Sequence, residues 1–191
     1  MSANHSPLLT RYTSQIAVAA GKGAILDLAC GGGRNGLYLV GQNIPVVFAD
    51  RDPRALAQVE QSLAAEAYSQ NRHLATLWQV DFEQGQVAPL EDRMFAGIMV
   101  YRYLHRALFD SIRQAVYPGG IVIYETFTVD QPRYGRPKNP EFLLEHGELQ
   151  ACFSGWNILH SFEGVEQDDN GVDCRAIAQI VAVKDKPGFL V

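Results

Sequence analysis

The glycine-rich stretch at residues 24–40 constrains the fold more than any other part of the chain. An apolar run at residues 24–28 is followed by three consecutive glycines, Gly31 to Gly33, and then by a helical pattern of apolar residues. Glycine permits positive φ and lets bare backbone N–H groups approach a ligand, and a helix N-terminus favours an anionic group there. The stretch therefore predicts a buried parallel strand, a ligand-binding turn and a helix in succession.

Two cofactor signatures overlap in this stretch. Gly31, Gly33 and Gly36 satisfy G-x-G-x-x-G, the fingerprint of dinucleotide-binding folds. Asp27, Ala29, Gly31 and Gly33 also resemble the acidic-x-Gly-x-Gly-x-Gly signature of class I S-adenosylmethionine (SAM) methyltransferases, with Ala29 in place of the first glycine. An acid inside the strand end suits the ammonium group of SAM better than a nearby pyrophosphate. A turn that binds no ligand is the plain structural alternative.

The composition argues against several classes of protein. The chain has 191 residues, which suits one α/β domain spanning residues 1–191, and its net charge of −5 argues against a broad nucleic-acid surface. Its three cysteines lie far apart without a C-x-x-C pair, so neither a metal site nor a disulfide framework is predicted. The sequence has no apolar run long enough to cross a membrane and no signal-like start. We therefore expect a soluble cytoplasmic protein with neither a membrane nor a nucleic-acid partner.

Acidic residues follow the next two predicted strands as well. Residues 45–49 predict a second strand that ends at Asp50, and residues 74–80 predict a third strand followed by Asp81 and Phe82. The carboxyl ends of parallel strands share one edge of a sheet, so these acids should lie beside the glycine turn. Asp50 is placed to accept from ribose hydroxyls and Asp81 from an exocyclic amino group, while Phe82 offers an apolar face to the base. A solvated turn is the alternative for Asp81.

The rest of the chain predicts further helices and strands. Helical patterns cover residues 8–20, 53–69, 108–116 and 144–153, and strands are predicted at residues 95–101, 121–126, 157–163 and 176–183. Asp169-Asn170-Gly171 predicts the turn of a late hairpin. This order resembles class I methyltransferases, whose final hairpin inserts antiparallel into the sheet. We expect an α/β fold, a Rossmann-like doubly wound sheet of seven strands, mostly parallel with an antiparallel C-terminal hairpin strand.

Four motifs narrow the resemblance. The chain is similar to bacterial small-molecule methyltransferases of the tellurite-resistance type and their uncharacterised relatives in D-L-A-C-G-G-G-R-N-G-L-Y-L (residues 27–39), R-Y-L-H-R (102–106), Y-G-R-P-K-N-P (134–140) and F-L-L-E-H-G-E-L (142–149). The resemblance implies in-line methyl transfer from SAM to a small molecule, without identifying that molecule. It also implies a cofactor site made of Asp27, Ala29, Gly31, Gly33, Asn35, Asp50, Arg51, Asp81, Phe82 and Tyr101.

The acceptor side is predicted from residue type and position. His105 follows the fourth strand and is the candidate general base, although a soft nucleophile would need none. Residues 127–148 follow the fifth strand and predict a lid or binding loop whose cations suit an acidic acceptor, with a solvated loop as the alternative. Residues 1–22 predict a helix that either covers the pocket or only packs. Substrate contacts are predicted for Tyr103, Glu125, Arg133 and Arg136.

Two other functions remain open on the sequence alone. An NAD(P)-dependent oxidoreductase is favoured by G-x-G-x-x-G and Asp50, and opposed by Asp27, Asp81 and the late hairpin. A non-catalytic protein that binds SAM would share every cofactor contact with the enzyme but would lack an open acceptor pocket beside the sulfonium. The sequence predicts neither the acceptor atom nor the oligomeric state.

Overall fold

The computed structural model describes residues 5–84, 89–167 and 174–185. These ranges contain the α-helices α1 (Pro7–Ala20), α2 (Arg34–Gly41), α3 (Pro53–Leu63), α4 (Phe109–Ala115) and α5 (Glu148–Cys152). They contain the strands β1 (Ile25–Leu28), β2 (Val46–Asp50), β3 (Ala75–Gln79), β4 (Phe95–Tyr101), β5 (Val116–Phe127), β6 (Asn157–Gln167) and β7 (Cys174–Val183). Short 3₁₀-helices lie at Glu66–Tyr68, Arg72–Leu74, Arg106–Leu108, Gln131–Arg133 and Pro140–Phe142. Within the same ranges, no helix has both the length and the apolar character that a membrane span requires.

All seven strands belong to one sheet, in the order β3-β2-β1-β4-β5-β7-β6. β1 pairs in parallel with β2 and β4, β2 pairs in parallel with β3, and β4 with β5. β7 lies antiparallel between β5 and β6, and pairs with β5 from Ile121 to Phe127. The predicted Rossmann-like sheet with an antiparallel C-terminal hairpin strand is therefore confirmed. The carboxyl ends of β1 to β5 share one edge of this sheet, as the strand-end acids require.

Helices cover both faces of the sheet. α1, α2 and α3 pack on one face, where Ile16, Phe48 and Val59 are fully buried. α4 and α5 pack on the other face, where Ile112 and Phe153 are buried. β1 and β4 are buried along their whole length between the two layers. Burial on both faces explains why these strands read as continuous apolar runs rather than as alternating patterns.

Several predicted element boundaries are wrong. The helix predicted at residues 53–69 ends at Leu63, because Ala65 is extended and starts a 3₁₀-helix instead. The helix predicted at residues 108–116 ends one residue earlier, because Val116 pairs with Phe95 as the first residue of β5. The helix predicted at residues 144–153 is confined to α5, because the Leu144 amide donates to the Phe127 carbonyl at 2.9 Å. Hydrogen bonds between distant segments override helical periodicity at the last two of these sites.

The late hairpin is longer than its apolar residues predict. β6 extends to Gln167 instead of residue 163, and β7 begins at Cys174 instead of residue 176. β6 is an edge strand and largely exposed, so its polar end carries no apolar signal. The predicted turn, Asp169-Asn170-Gly171, lies outside the described residues.

Candidate functional site

The glycine turn between β1 and α2 has the backbone conformation that its sequence predicts. Gly31 and Gly33 have φ values of 53° and 74°, in the left-handed region that favours glycine. Ala29, which replaces the first glycine of the signature, has a φ of 54° and so keeps the same conformation. A Cβ built on Gly31 meets no atom within 4 Å among the described residues. The turn is therefore open toward the sheet edge at Gly31.

The other two glycines of the G-x-G-x-x-G pattern, Gly33 and Gly36, serve packing. A Cβ on Gly33 would lie 2.6 Å from Val59 Cγ2, and a Cβ on Gly36 would lie 2.3 Å from Phe48 Cε1. The same Gly36 Cβ would lie 2.8 Å from Asp27 Oδ2. These contacts let α2 approach β1 and β2 closely, so the structure places Gly33 against the core, whereas Gly31 faces the open edge.

Asp27 lies at the inner end of this turn and is 3% exposed. Its Oδ2 accepts a hydrogen bond from the Gly36 amide at 3.0 Å. Burial raises the pKa of Asp27 to about 8; the Gly36 hydrogen bond and the Arg34 charge oppose the rise, and the Asp50 charge adds to it. A cation beside Asp27 would lower this pKa again, because it favours the charged carboxylate.

The two other strand-end acids are held by backbone amides. Asp50 Oδ2 accepts from the Gly31 amide at 2.8 Å, and its Oδ1 accepts from the Asp52 amide at 2.9 Å. Asp81 Oδ1 accepts from the Glu83 amide at 2.9 Å. Each carboxylate oxygen has a second lone pair, so both side chains are fixed in place and still able to accept from a ligand.

Three neighbouring cavities follow the carboxyl edge of the sheet. The large cavity has a volume of about 650 Å³, lies beyond β2 and β3, and is lined by Asp50, Arg51, Asp81, Phe82, Tyr103 and Arg136 among others. The turn cavity, about 450 Å³, is lined by Asp27, Ala29, Gly31, Arg34, Asn35, Tyr101 and Arg102 among others. The hairpin cavity, about 540 Å³, lies between the start of α1 and the ends of β5, β6 and β7. The large and turn cavities share Ala29 and Arg102, and the turn and hairpin cavities share Arg34.

Tyr101 brings an unpartnered polar atom to the turn cavity. Its ring is 9% exposed and its hydroxyl is buried without a hydrogen-bond partner among the described residues. Burial raises the pKa of Tyr101 far above its ordinary range, and the nearby Ser6 side chain opposes the rise. A buried donor left unpaired costs stability, which favours a ligand that completes the pairing here.

Most of the predicted cofactor residues come together along these cavities. Asp27, Ala29, Gly31, Asn35 and Tyr101 line the turn cavity, and Asp50, Arg51, Asp81 and Phe82 line the large cavity. Gly33 is missing from both linings because it packs on the core. Arg51 pairs with Glu83 at 3.5 Å and is mostly exposed.

The predicted acceptor residues are scattered. Tyr103 and Arg136 line the large cavity, where burial and the neighbouring Glu83 carboxylate raise the pKa of Tyr103. Glu125 instead lines the hairpin cavity. Arg133 is exposed and pairs with Asp130 at 3.3 Å. His105 is the N-cap residue of the 3₁₀-helix Arg106–Leu108 and lines none of the three cavities.

Two arginines near His105 have structural importance that the sequence analysis missed. Arg102 follows β4, has a φ of 56° and lines both the large and the turn cavity. Arg106 donates from Nε and Nη2 to the two oxygens of Glu148, at 2.7 and 2.8 Å, and from Nη2 to the Leu143 carbonyl at 2.7 Å. The position of Arg102 directly after a strand end could have marked it as a site residue. The role of Arg106 could not be found in this way, because its contacts join residues far apart in the chain.

The comparisons with known proteins agree with this geometry. A family model described as "Tellurite resistance protein TehB" matches residues 8–172. No curated protein sequence matches the chain significantly. TehB from Haemophilus influenzae superposes with a TM-score of 0.68 at 20% identity, over 91% of this chain and 62% of that one, so this chain spans less than two thirds of it.

Two N-methyltransferases have the same fold. The glycopeptide N-methyltransferase MtfA in complex with SAM has a TM-score of 0.64 at 16% identity, over 97% of this chain and 88% of that one. NodS from Bradyrhizobium japonicum WM9 has a TM-score of 0.61 at 15% identity, over 93% of this chain and 96% of that one. These likenesses show the class I methyltransferase fold, and the family model extends over most of the sequence. The chain therefore belongs to the TehB family, as its resemblance to methyltransferases of the tellurite-resistance type predicted.

Proposed function

We propose that the protein transfers a methyl group from SAM to a small-molecule acceptor. The observation that carries the proposal is the row of three acids at the ends of β1, β2 and β3, beside an open glycine turn. SAM presents, in the same order, an ammonium group, a ribose and an adenine. A net charge of −5 further favours a small acceptor over a nucleic acid.

The residues present fit this cofactor. Asp27 is a buried carboxyl whose raised pKa falls again when an ammonium binds beside it. Asp50 has both oxygens fixed by amides and a free lone pair on each for the two ribose hydroxyls. Phe82 gives the large cavity a buried apolar wall, and the unpartnered Tyr101 hydroxyl gives the turn cavity a donor.

The chemistry divides between the cofactor and the chain. SAM, when bound, supplies a methyl carbon already activated by a sulfonium. The chain's own part is to align the acceptor with that carbon and to exclude water. Pro137 and Phe142, from the segment after β5, line the large cavity together with Asp50 and Asp81. His105 remains a predicted base, but its position outside the three cavities favours another residue for that task.

The proposal is tested by calorimetric titration with SAM, S-adenosylhomocysteine, NAD and NADP. Gly31→Ala and Gly155→Ala make a matched pair, because φ is 53° at Gly31 and 81° at Gly155, and an added Cβ meets no described atom within 4 Å at either site. Both variants therefore carry a similar backbone strain of about 1 kcal/mol. Only the Gly31 Cβ enters the turn cavity.

We expect micromolar binding of SAM and S-adenosylhomocysteine to the wild-type protein. Gly31→Ala should weaken that binding by about tenfold or more, which corresponds to about 1.4 kcal/mol. Gly155→Ala should leave it unchanged. Binding of NAD or NADP alone would overturn the proposal in favour of an oxidoreductase. Equal affinity losses in both variants would place the cofactor away from the glycine turn.

A further inference from the structure

The hairpin cavity is the part of the sheet edge that the cofactor contacts leave unused. It is bounded by the start of α1, the N-terminal end of α2 and the ends of β5, β6 and β7. Its lining includes His5, Arg11, Arg34, Glu125, Glu166 and Arg175. It adjoins the turn cavity through Arg34. An acceptor in the hairpin cavity would therefore lie beside the cofactor end that the turn cavity holds.

Buried polar side chains form a row across the sheet toward this cavity. Tyr101 of β4 pairs in register with Glu125 of β5, and Glu125 pairs with Gln179 of β7. Residues opposite each other on paired strands point to the same face. Asp27 shares the face of Tyr101, because Asp27 pairs with Met99, which lies two residues before Tyr101 on β4. Glu125 on β5 lies two strands from Asp27 on β1 and two residues further along, because Met99 pairs with both Asp27 and Ile123, so about 12 Å separates the two. Tyr101 lies between them.

Glu125 is held in a fixed orientation from one side only. Its side chain is 5% exposed, and its Oε2 accepts from Gln179 Nε2 at 2.9 Å. Gln179 is itself held, because its Oε1 lies 3.0 Å from His160 Nε2. Glu125 Oε1 accepts no hydrogen bond from any described residue. The network therefore presents one oriented, unused carboxylate oxygen at the wall of the hairpin cavity.

We propose that Glu125 is a catalytic residue, and that the hairpin cavity binds a small protic acceptor, a thiol or an amine, whose proton passes to Glu125 Oε1. This proposal rests on the proposed methyl transfer and names the acceptor class for it. The acceptor lone pair forms the new bond to the methyl carbon, and the electron pair of the broken carbon–sulfur bond stays on sulfur. The acceptor proton goes to Glu125 and then to solvent. Charge balances, since one sulfonium and one carboxylate are neutralised together.

The surroundings of Glu125 support this role. Burial raises the pKa of Glu125, the Gln179 hydrogen bond opposes the rise, and nearby charges act in both directions. The titratable and charged groups around it are Tyr101 on β4, Arg102 after β4, Glu166 on β6, Arg175 on β7, and His5, Arg11 and Arg34 in the cavity wall. A carboxylate with a raised pKa is a stronger base than an exposed one, which suits proton removal near neutral pH. Activity should therefore rise with pH as Glu125 ionises.

The test compares Glu125→Gln with Glu60→Gln. The first variant keeps an oxygen for Gln179 but cannot take a proton. The second makes the same chemical change on the surface of α3, where Glu60 pairs with Arg72. The probes are 2-mercaptoethanol and ethanolamine, which must lose a proton, and dimethyl sulfide, which has none to lose. SAM affinity is measured by calorimetry and S-adenosylhomocysteine formation by initial rates.

We expect Glu125→Gln to bind SAM within about twofold of wild type and to lose about 100-fold or more in kcat with the protic probe. Its rate with dimethyl sulfide, and every rate of Glu60→Gln, should be unchanged. Formate should restore the protic rate of Glu125→Ala, which a purely structural role would not allow.

Three results would overturn the assignment. These are a protic rate for Glu125→Gln within threefold of wild type, an equal loss with dimethyl sulfide, and SAM binding by wild type without transfer to either protic probe. In the last case the cofactor part of the proposed function would still stand. Failure of the wild-type protein to bind SAM would instead contradict the proposed function itself.

Discussion

The glycine turn and the segment after β5 differ in how much surface side chains contribute to holding them in place. The turn is fixed from within, by carboxylate-to-amide hydrogen bonds at Asp27 and Asp50 and by glycines packed against Phe48 and Val59. Residues 128–147, the covering segment, carry Pro137 and Phe142 over the large cavity. Its two ends are anchored by buried bonds, such as those from the Thr128 amide to the Ala176 carbonyl at 3.0 Å and from the Ala176 amide to Gln131 Oε1 at 2.8 Å, and surface side chains add further ties.

The ties of the covering segment illustrate the contrast. Arg106 bonds to Glu148 and to two carbonyls of the segment, and His146 joins Asp130 to Glu163. Buried backbone bonds respond little to salt, whereas exposed ion pairs weaken with salt and with pH. The surface ties of the covering segment are therefore the contacts in this part of the molecule that added salt should weaken most.

The largest effect on stability is expected from adding a methyl group where α2 packs against β2. Gly36→Ala would place a Cβ 2.3 Å from Phe48 Cε1 and push α2 away from β2, so we expect a loss of about 3 kcal/mol in the free energy of unfolding. Gly41→Ala is the control in the same helix, because its Cβ meets nothing closer than Tyr68 Cε1 at 3.9 Å. It should gain up to about 1 kcal/mol. Urea unfolding measures both, and equal behaviour of the two variants would refute the packing role of Gly36.

Asp27→Asn separates the stability of the turn from its function. The pKa of Asp27 is about 8 in the folded protein against an ordinary 3.8, so its stabilising share is complete below pH 4 and is lost as pH rises toward 8. Asparagine has no such loss and still accepts from the Gly36 amide. The advantage of the variant over the wild type in the free energy of unfolding should therefore grow by about 2 kcal/mol from pH 5 to pH 8. The largest growth that a single titrating group allows is about 1.4 kcal/mol per pH unit.

The same variant should bind SAM at least about tenfold more weakly, because an amide offers no charge to an ammonium. Urea unfolding at the two pH values and calorimetry check the two halves of this prediction. A stability difference that does not change with pH would contradict the raised pKa. Unchanged affinity would remove Asp27 from the cofactor site.

The sheet and its acidic edge were predictable because their signals are local. Buried parallel strands are continuous apolar runs, and Asp27, Asp50 and Asp81 stand at or just after strand ends in the sequence itself. The roles of individual glycines were not predictable in the same way. Gly31 and Gly33 look alike in the sequence, and only the tertiary neighbours Phe48 and Val59 separate an open position from a packed one.

The covering segment shows why the rest was missed. Its periodic pattern predicts a helix from residue 144, but the bridge between Thr128 and Leu144 keeps that stretch extended. The ties from Arg106 reach residues 35 to 42 positions away, so no window of sequence contains both partners. The sequence likewise does not show that Glu125 lies in a cavity wall and His105 does not, because the register of β4, β5 and β7 decides these positions.

Arg106→Gln tests the strongest tie of the covering segment. Arg106 and Glu148 form a two-pronged pair in which the side chains are 41% and 20% exposed, so solvent screening reduces its value and we expect a loss of about 1 kcal/mol. Arg133→Gln is the matched control, because Arg133 is 75% exposed and its one ion pair within the described residues is with Asp130. It should lose less than about 0.5 kcal/mol.

The two arginine variants are compared by urea unfolding and by protease cleavage within residues 128–147. Arg106→Gln should be cleaved faster than wild type, and high salt should reduce the difference by weakening the wild-type pair. If both variants were cleaved at the wild-type rate, Arg106 would not be what holds the segment in place.

The smallest effect is expected at His146, which gives the covering segment its pH dependence. The hydrogen bond to Glu163, at 2.7 Å, raises the pKa of His146, with the Asp130 charge acting in the same direction. A histidine whose pKa is raised on folding stabilises below its ordinary value of 6.5 and loses that contribution as pH rises through the raised value. The tie between Asp130 and Glu163 should therefore loosen above neutral pH.

The amide of Gly147 reports this loosening directly, because it donates to Glu163 Oε2 at 2.9 Å. Its hydrogen-exchange protection, corrected for intrinsic rates, should fall between pH 6 and pH 8.5 in the wild-type protein and stay level in His146→Gln. His73→Gln, a change at an exposed histidine outside the segment, should behave as wild type. A parallel fall in all three proteins would assign the pH response to another group. A fall confined to the proteins that keep His146 would mean that loss of the His146 charge loosens the covering segment.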